Sequence, residues 1–193
     1  MACFRRTRLV FTLLASAAAL APLHLHADFA QFWSAIGAVG IADESSTSLI
    51  SFSDTGSVTM KSSVASGTAQ LRYPVYIVGN MTKDLSPIND RWCLGMQYRD
   101  NGDHSQVIAA LKSVNTSTGA VVSYGTLDSK IYGDTGTAYQ TRFNCVLANS
   151  DGTPLSSFFS GDTAYYIDVK LIKTASDGNP GLKSLQFINS FNE

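Results

Sequence analysis

From residue 57 onward, apolar and polar side chains alternate along most of the chain. Val58 and Met60 share one side of the stretch 55–62. Ala69, Leu71, Tyr73, Val75 and Ile77 alternate with Gln70, Arg72, Pro74 and Tyr76. Trp92, Leu94, Met96 and Tyr98 alternate with Cys93, Gly95, Gln97 and Arg99. Tyr139, Phe143, Cys145 and Leu147 form the apolar register of 138–147, and Tyr165, Ile167, Val169 and Leu171 that of 164–172. Leu185, Phe187 and Phe191 close the pattern. A period of two marks half-buried antiparallel strands, because successive side chains on a strand point to opposite faces.

The punctuation between these stretches is turn chemistry. Asn101-Gly102 is the preferred pair for a two-residue hairpin loop, so 91–114 reads as a hairpin with Asp100 and Asp103 flanking its turn. Gly-, Asn-, Asp- and Ser-rich turns recur at 115–119, 132–137, 149–154, 159–163 and 176–181. Short strands with turns this dense predict an all-β fold, an antiparallel β-sandwich of jelly-roll-like kind. Pro74 cannot donate to a ladder, so its strand is expected at an edge or with a bulge. The stretch 105–114 also fits a helix with Val107, Ala110, Leu111 and Val114 on one face; the Asn-Gly turn favours a strand. Phe29, Phe32, Trp33 and Ile36 have helical spacing, and Gly37 and Gly40 cut such a helix short. A short N-terminal helix or an irregular apolar segment over 28–45 is therefore expected to lean on a single domain over 46–193.

The first residues change the picture of where the chain works. Arg5, Arg6 and Arg8 precede an apolar run over 9–23, the layout of a secretory signal peptide. Pro22 disfavours a cut after Ala21, so cleavage is expected before Asp28, with 1–27 as the signal. The run falls short of a membrane-spanning helix, and no later segment is long enough for one. Without those residues the chain keeps 11 Lys+Arg against 15 Asp+Glu, a formal charge of −4 with no basic cluster. Nucleic-acid binding is excluded on that ground, since neutralising phosphates takes clustered cations. The expected location is secreted or periplasmic, without a transmembrane anchor.

Export also settles the cysteines. Cys3 leaves with the signal, and Cys93 and Cys145 remain as the expected disulfide. Their loop of 52 positions is worth roughly 4 kcal/mol in the chain-entropy model. The registers are in tension, because Cys145 shares the apolar register of its strand and Cys93 opposes Trp92, Leu94 and Met96. Either one strand is bulged, with Gly95 as the place, or the bond lies at a strand end.

Candidate chemistry is sparse. His104 is the only histidine beyond the signal, and no Gly-x-Ser-x-Gly elbow supplies a nucleophile. Two cysteines and one histidine do not make a zinc site. Asp100 and Asp103 are a weak alternative as a metal pair, and no cofactor is expected. In an up-and-down order, loops near Asp100, Asp134 and Asp177 fall at one end of the fold, and those near Asp84, Asp90, Asp151 and Asp162 at the other. Tyr76, Tyr124 and Tyr166 are expected on outer faces, and Phe158 and Phe159 in a loop. Exposed aromatics of this kind stack on sugar rings or anchor protein partners.

In export, size and a single disulfide the chain resembles chaperone-assembled pilus subunits. It departs from them with Asn192 at the penultimate position, where that family has Tyr, and with a mid-chain cysteine pair. The expected function is a non-catalytic exported β-sandwich that binds an extracellular glycan or surface protein, or that serves as a surface or matrix subunit. The alternative is a small carbohydrate-active enzyme using paired Asp residues.

Overall fold

The computed structural model describes residues 30–76, 90–148 and 161–191. Phe158, Phe159 and the segment 1–27 expected to be a signal lie outside them. Two sheets of antiparallel strands face each other as a β-sandwich. Sheet I contains β1 (Ala30–Ile36), β3 (Ile50–Phe52), β4 (Val58–Met60), β6 (Asp90–Arg99), β9 (Gln140–Asn144) and β11 (Gly181–Phe191). Its order is β3-β4-β11-β6-β9, with β1 also paired to β11. Sheet II is β2-β5-β10-β7-β8, from Ile41–Ala42, Gly67–Val75, Thr163–Lys173, Ser105–Asn115 and Val121–Asp128.

The alternation read from sequence sets the core. Leu71, Tyr73, Val107, Leu111, Ile167, Val169 and Leu171 point inward from sheet II and are buried. Trp92, Leu94, Met96, Tyr98, Leu185 and Phe187 meet them from sheet I. Trp92 and Phe187 stack with ring centres 5.0 Å apart. Each such large side chain contributes roughly 1.5–3 kcal/mol by leaving water. Residues 105–115 form strand β7, as the turn signal favoured. At Pro74 the outer edge of β5 is uncovered, because β2 pairs only with Leu71 and Arg72.

Three expectations are corrected. The first concerns 28–45. Its described part is strand β1, a 3-10 turn over Gly37–Val39 and strand β2, with no helix of helical-face spacing. β1 belongs to sheet I and β2 to sheet II, so the turn carries the chain across the end of the core. It passes so close to β11 that a Cβ on Gly37 would lie 2.2 Å from Leu182 O. The Tyr73 hydroxyl rises from the core and donates to Gly37 O at 2.6 Å, which pins the crossing.

The second concerns 91–114. β6 and β7 do not pair; β6 lies between β11 and β9, and β7 between β10 and β8. Residues 100–104 are a corner between sheets and not a hairpin turn. The physical reason lies in the backbone of Asn101. A type I′ hairpin turn needs positive φ at both central residues. Gly102 has φ +117°, and no described non-glycine residue has positive φ.

The third concerns 138–147. The register of Phe143 and Cys145 faces outward, not into the core. Leu94 pairs with Asn144 and Gly95 with Phe143, so Cys145 continues the ladder opposite Cys93, just past the end of β9. The disulfide joins the two across the outer side of sheet I, with Cα atoms 4.0 Å apart. The ladder from Leu94 to Tyr98 is regular, so the bulge expected at Gly95 is absent and the strand-end alternative holds. Replacing both cysteines by Ser is expected to lower unfolding free energy by roughly 4 kcal/mol, read as a reduced urea midpoint.

Candidate functional site

The corner at 100–104 holds the acids that sequence singled out, and it separates them. Asp103 and His104 are exposed. Asp100 is 1% exposed. Its carboxylate accepts from the Ser129 hydroxyl in a short bond and from Gly102 N–H at 3.3 Å. Its backbone N–H donates to Thr135 Oγ1 at 2.9 Å, and its carbonyl accepts from Thr135 N–H at 2.7 Å. The expectation that Asp100 is a solvated turn flank is therefore corrected. Asn101 Nδ2 donates to Asp177 O at 2.8 Å, and its Oδ1 accepts from Asn179 N–H at 2.5 Å. His104 Nδ1 stands 2.7 Å from Asp177 Oδ1 in an exposed pair. Among the described residues no group of three or more His, Cys, Asp or Glu is set to hold a metal. The corner's polar atoms are spent on one another. Asp100→Ala is expected to cost about 1–3 kcal/mol by orphaning its donors, and Asp103→Ala less than about 0.5 kcal/mol, both read by urea denaturation.

The tyrosines divide likewise. Tyr124 is half-buried against the core and shares a hydrogen bond of 2.8 Å with Ser113 Oγ. Its ring centre is 5.9 Å from that of Tyr165. Parity counted back from buried Leu127 would send Tyr124 outward. The β7–β8 register shifts between Leu111 and Lys112, so Leu111 faces Gly125 and Lys112 faces Ser123. Tyr124 is the extra residue of that bulge, and the reset of parity turns it inward. Burial, and after it the neighbouring Tyr124, pushes the Tyr165 phenol up to about 12. Burial alone pushes Tyr73 further in the same direction. Unfolded tyrosines keep the ordinary value of 10.0. The neutral phenols' contribution is thus complete below pH 10 and lost as pH rises from 10 through about 12. Denaturant titrations over pH 9–12 are expected to show that loss, and Tyr165→Phe to flatten it.

Tyr76 and Tyr166 do lie on one outer face, that of sheet II. The pairing places Pro74, Tyr166 and Lys112 side by side across β5, β10 and β7. One row further in stand Arg72, Asp168 and Ala110. Tyr76 follows β5 at the open end and is 73% exposed. Asp168 belongs to the outward register yet is 5% exposed. Lys112 Nζ donates to its Oδ2 at 2.6 Å, and Gln70 Nε2 to its Oδ1 at 2.7 Å. Sequence gave no sign of this cluster, since Gln70, Lys112 and Asp168 look like any solvated strand face until three strands are laid side by side. The face therefore combines two rings with a carboxylate, an ammonium and an amide held in fixed positions.

Beside it, an open groove of about 430 Å³ runs between β1 and the edge of β5. Trp33, Ile36, Val39, Ile41, Pro74 and Tyr76 line it, and among the described residues no charged side chain does.

No protein-family model matches the chain, and no curated protein matches it. Among solved structures, one described as BiXyn10A CBM1 in apo form aligns at 12% identity over 84% of this chain and 99% of that one, with TM-score 0.40. PfGH50B aligns at 12% identity over 84% of this chain and 23% of its own, with TM-score 0.38. An exo-beta-agarase aligns at 14% over 82% and 23%, with TM-score 0.36. Likenesses this distant carry no inference.

Proposed function

We propose that this chain is an exported, non-catalytic carbohydrate-binding β-sandwich whose ligand lies across the outer face of sheet II. The observation that carries the reading is Asp168, a carboxylate buried on an outward strand register and fixed by Lys112 and Gln70 in the row next to Tyr166. Sugars are bound by this combination: a ring offers its face to the C–H side of a pyranose, and rigid polar groups beside it take the hydroxyls. Tyr166 supplies the central ring, Tyr76 the peripheral one, and Arg72 a further donor at the margin. The fixed cluster loses little entropy on binding, which favours affinity.

Catalysis by paired carboxylates is disfavoured by the same geometry. Asp168 is engaged by its two donors. Two other described carboxylates stand near it: Asp43, beside Gln70 at the β2 edge, accepts from Ser46 N–H at 2.8 Å and Ser45 Oγ at 3.0 Å, and Asp128, two strands away on β8, accepts from Gln106 Nε2 and Lys130 N–H. A glycosidase keeps one carboxyl free to give a proton and another to attack or activate water. Export is supported by the basic and apolar layout of the first residues and by the disulfide.

The test is affinity electrophoresis of residues 28–193 through gels holding a panel of neutral and acidic polysaccharides. Retardation by at least one glycan is expected, with Tyr166→Ala and Lys112→Met each weakening it tenfold or more. Tyr76→Ala is expected to weaken it less. Retardation by none of the panel, or full affinity in folded Tyr166→Ala and Lys112→Met proteins, refutes the reading.

A further inference from the structure

We propose that the outer face of sheet I is a second carbohydrate-binding face, built for an uncharged oligosaccharide, with Phe143 and Tyr139 as its two ring platforms. It lies on the opposite side of the sandwich from Tyr166 and stands whether or not sheet II binds a glycan.

The face is made by two glycines and the outward register of β9. Gly95 is paired with Phe143, and a Cβ added to Gly95 would lie 2.5 Å from Phe143 Cε1. The ring thus rests on bare backbone, and the residue is still 42% exposed. At the other end, Gly181 leaves room for Tyr139, whose hydroxyl would stand 3.0 Å from a Cβ there. The two rings belong to residues four apart on extended chain, a span of roughly 13 Å, set for an oligosaccharide and not a single sugar.

Between them lies a row of uncharged hydrogen-bonding side chains. Gln97 is paired with Thr141 on one side and Ser184 on the other, and Gln186 pairs with Gly95. All four are partly exposed. Amide and hydroxyl groups between two ring platforms match sugar hydroxyls. Two cations stand at the Tyr139 end: Arg99 donates to Asn179 O at 3.2 Å and to its Oδ1 at 2.7 Å with its guanidinium 5.4 Å from the Tyr139 ring centre, and the Lys183 ammonium lies 5.8 Å from the same centre, so both are drawn to that ring and the row between the platforms stays uncharged. Rings covering sheet glycines also protect the sheet. That accounts for where the rings rest; it does not account for the amide row between them.

The experiment uses residues 28–193 in gels of neutral arabinoxylan, neutral galactomannan or acidic alginate. The variants are Phe143→Leu, Tyr139→Ala and Tyr166→Ala, singly and combined. Phe143→Leu keeps Gly95 covered and removes only the aromatic face, so it separates stacking from sheet protection. The expected result is that Tyr166→Ala retains binding to a neutral polysaccharide and that adding Phe143→Leu weakens it at least tenfold with the melting temperature unchanged. If Phe143→Leu leaves every affinity intact, or the residual binding is to alginate alone, the second face is overturned. If Tyr166→Ala abolishes all binding, the second face is overturned and the sheet II reading stands. If no gel retards the wild type, both fall.

Discussion

The corner residues Asp100 and Asn101 tie together three of the places where the chain passes between sheets. β6 leads to β7 through 100–104, β8 to β9 through 129–139, and β10 to β11 through 174–180. Each is a crossing, and all three meet at this corner. Asp100 holds Ser129 and Thr135 from the second crossing. Asn101, its neighbour, holds Asp177 and Asn179 from the third. A sandwich of two sheets has no backbone ladder between them. Its layers are joined by side-chain packing and by crossings, and a crossing exposes peptide groups that a ladder would have satisfied. Here polar side chains satisfy them at the end of the core.

The opposite constraint acts at the 3-10 turn over Gly37–Val39, where the crossing from β1 to β2 is held by the core hydroxyl of Tyr73 and by one backbone bond from Ala38 N–H to Gly56 O at 2.9 Å. The Tyr73 phenol must stay neutral for its bond to be donated, and burial keeps it so. The two crossing regions differ in kind. One is a polar network fixed by many bonds. The other is a close backbone approach with few bonds, bordered by the groove of Trp33, Ile41 and Tyr76.

Both outer faces owe their character to local exceptions within regular strands. The bulge at Tyr124 sends a ring inward that alternation would have sent out, and so leaves Tyr166 and Tyr76 as the rings of the sheet II face. On β11 the register shifts between Leu182 and Ser184, which keeps Leu182 and Leu185 both in the core and Ser184 beside Gln97. On β9, the last strand of the described order, Phe143 faces outward to cover Gly95, and Cys145 just past its end does so to reach Cys93.

The sequence by itself determined the strand registers of β5, β6 and β10, the all-β class and the cysteine pair, because period-two alternation and redox chemistry are local or compositional. It also placed Asp100, Asp134 and Asp177 at one end, and Thr135 and Asp177 do meet Asp100 and Asn101 there. Which strands pair, only the tertiary structure decided. Asn101-Gly102 names a turn and does not say whether the next strand returns to the same sheet; the negative φ of Asn101 and its side-chain bonds to 177–179 settle that. A bulge shifts parity by one residue and leaves no mark in composition, which is why Tyr124 turns inward against the alternation; Phe143 faces outward on a regular ladder because it covers Gly95 on the neighbouring strand. The Lys112–Asp168–Gln70 cluster joins residues up to 98 positions apart, and strand neighbours that distant become visible only once the order β5-β10-β7 is known.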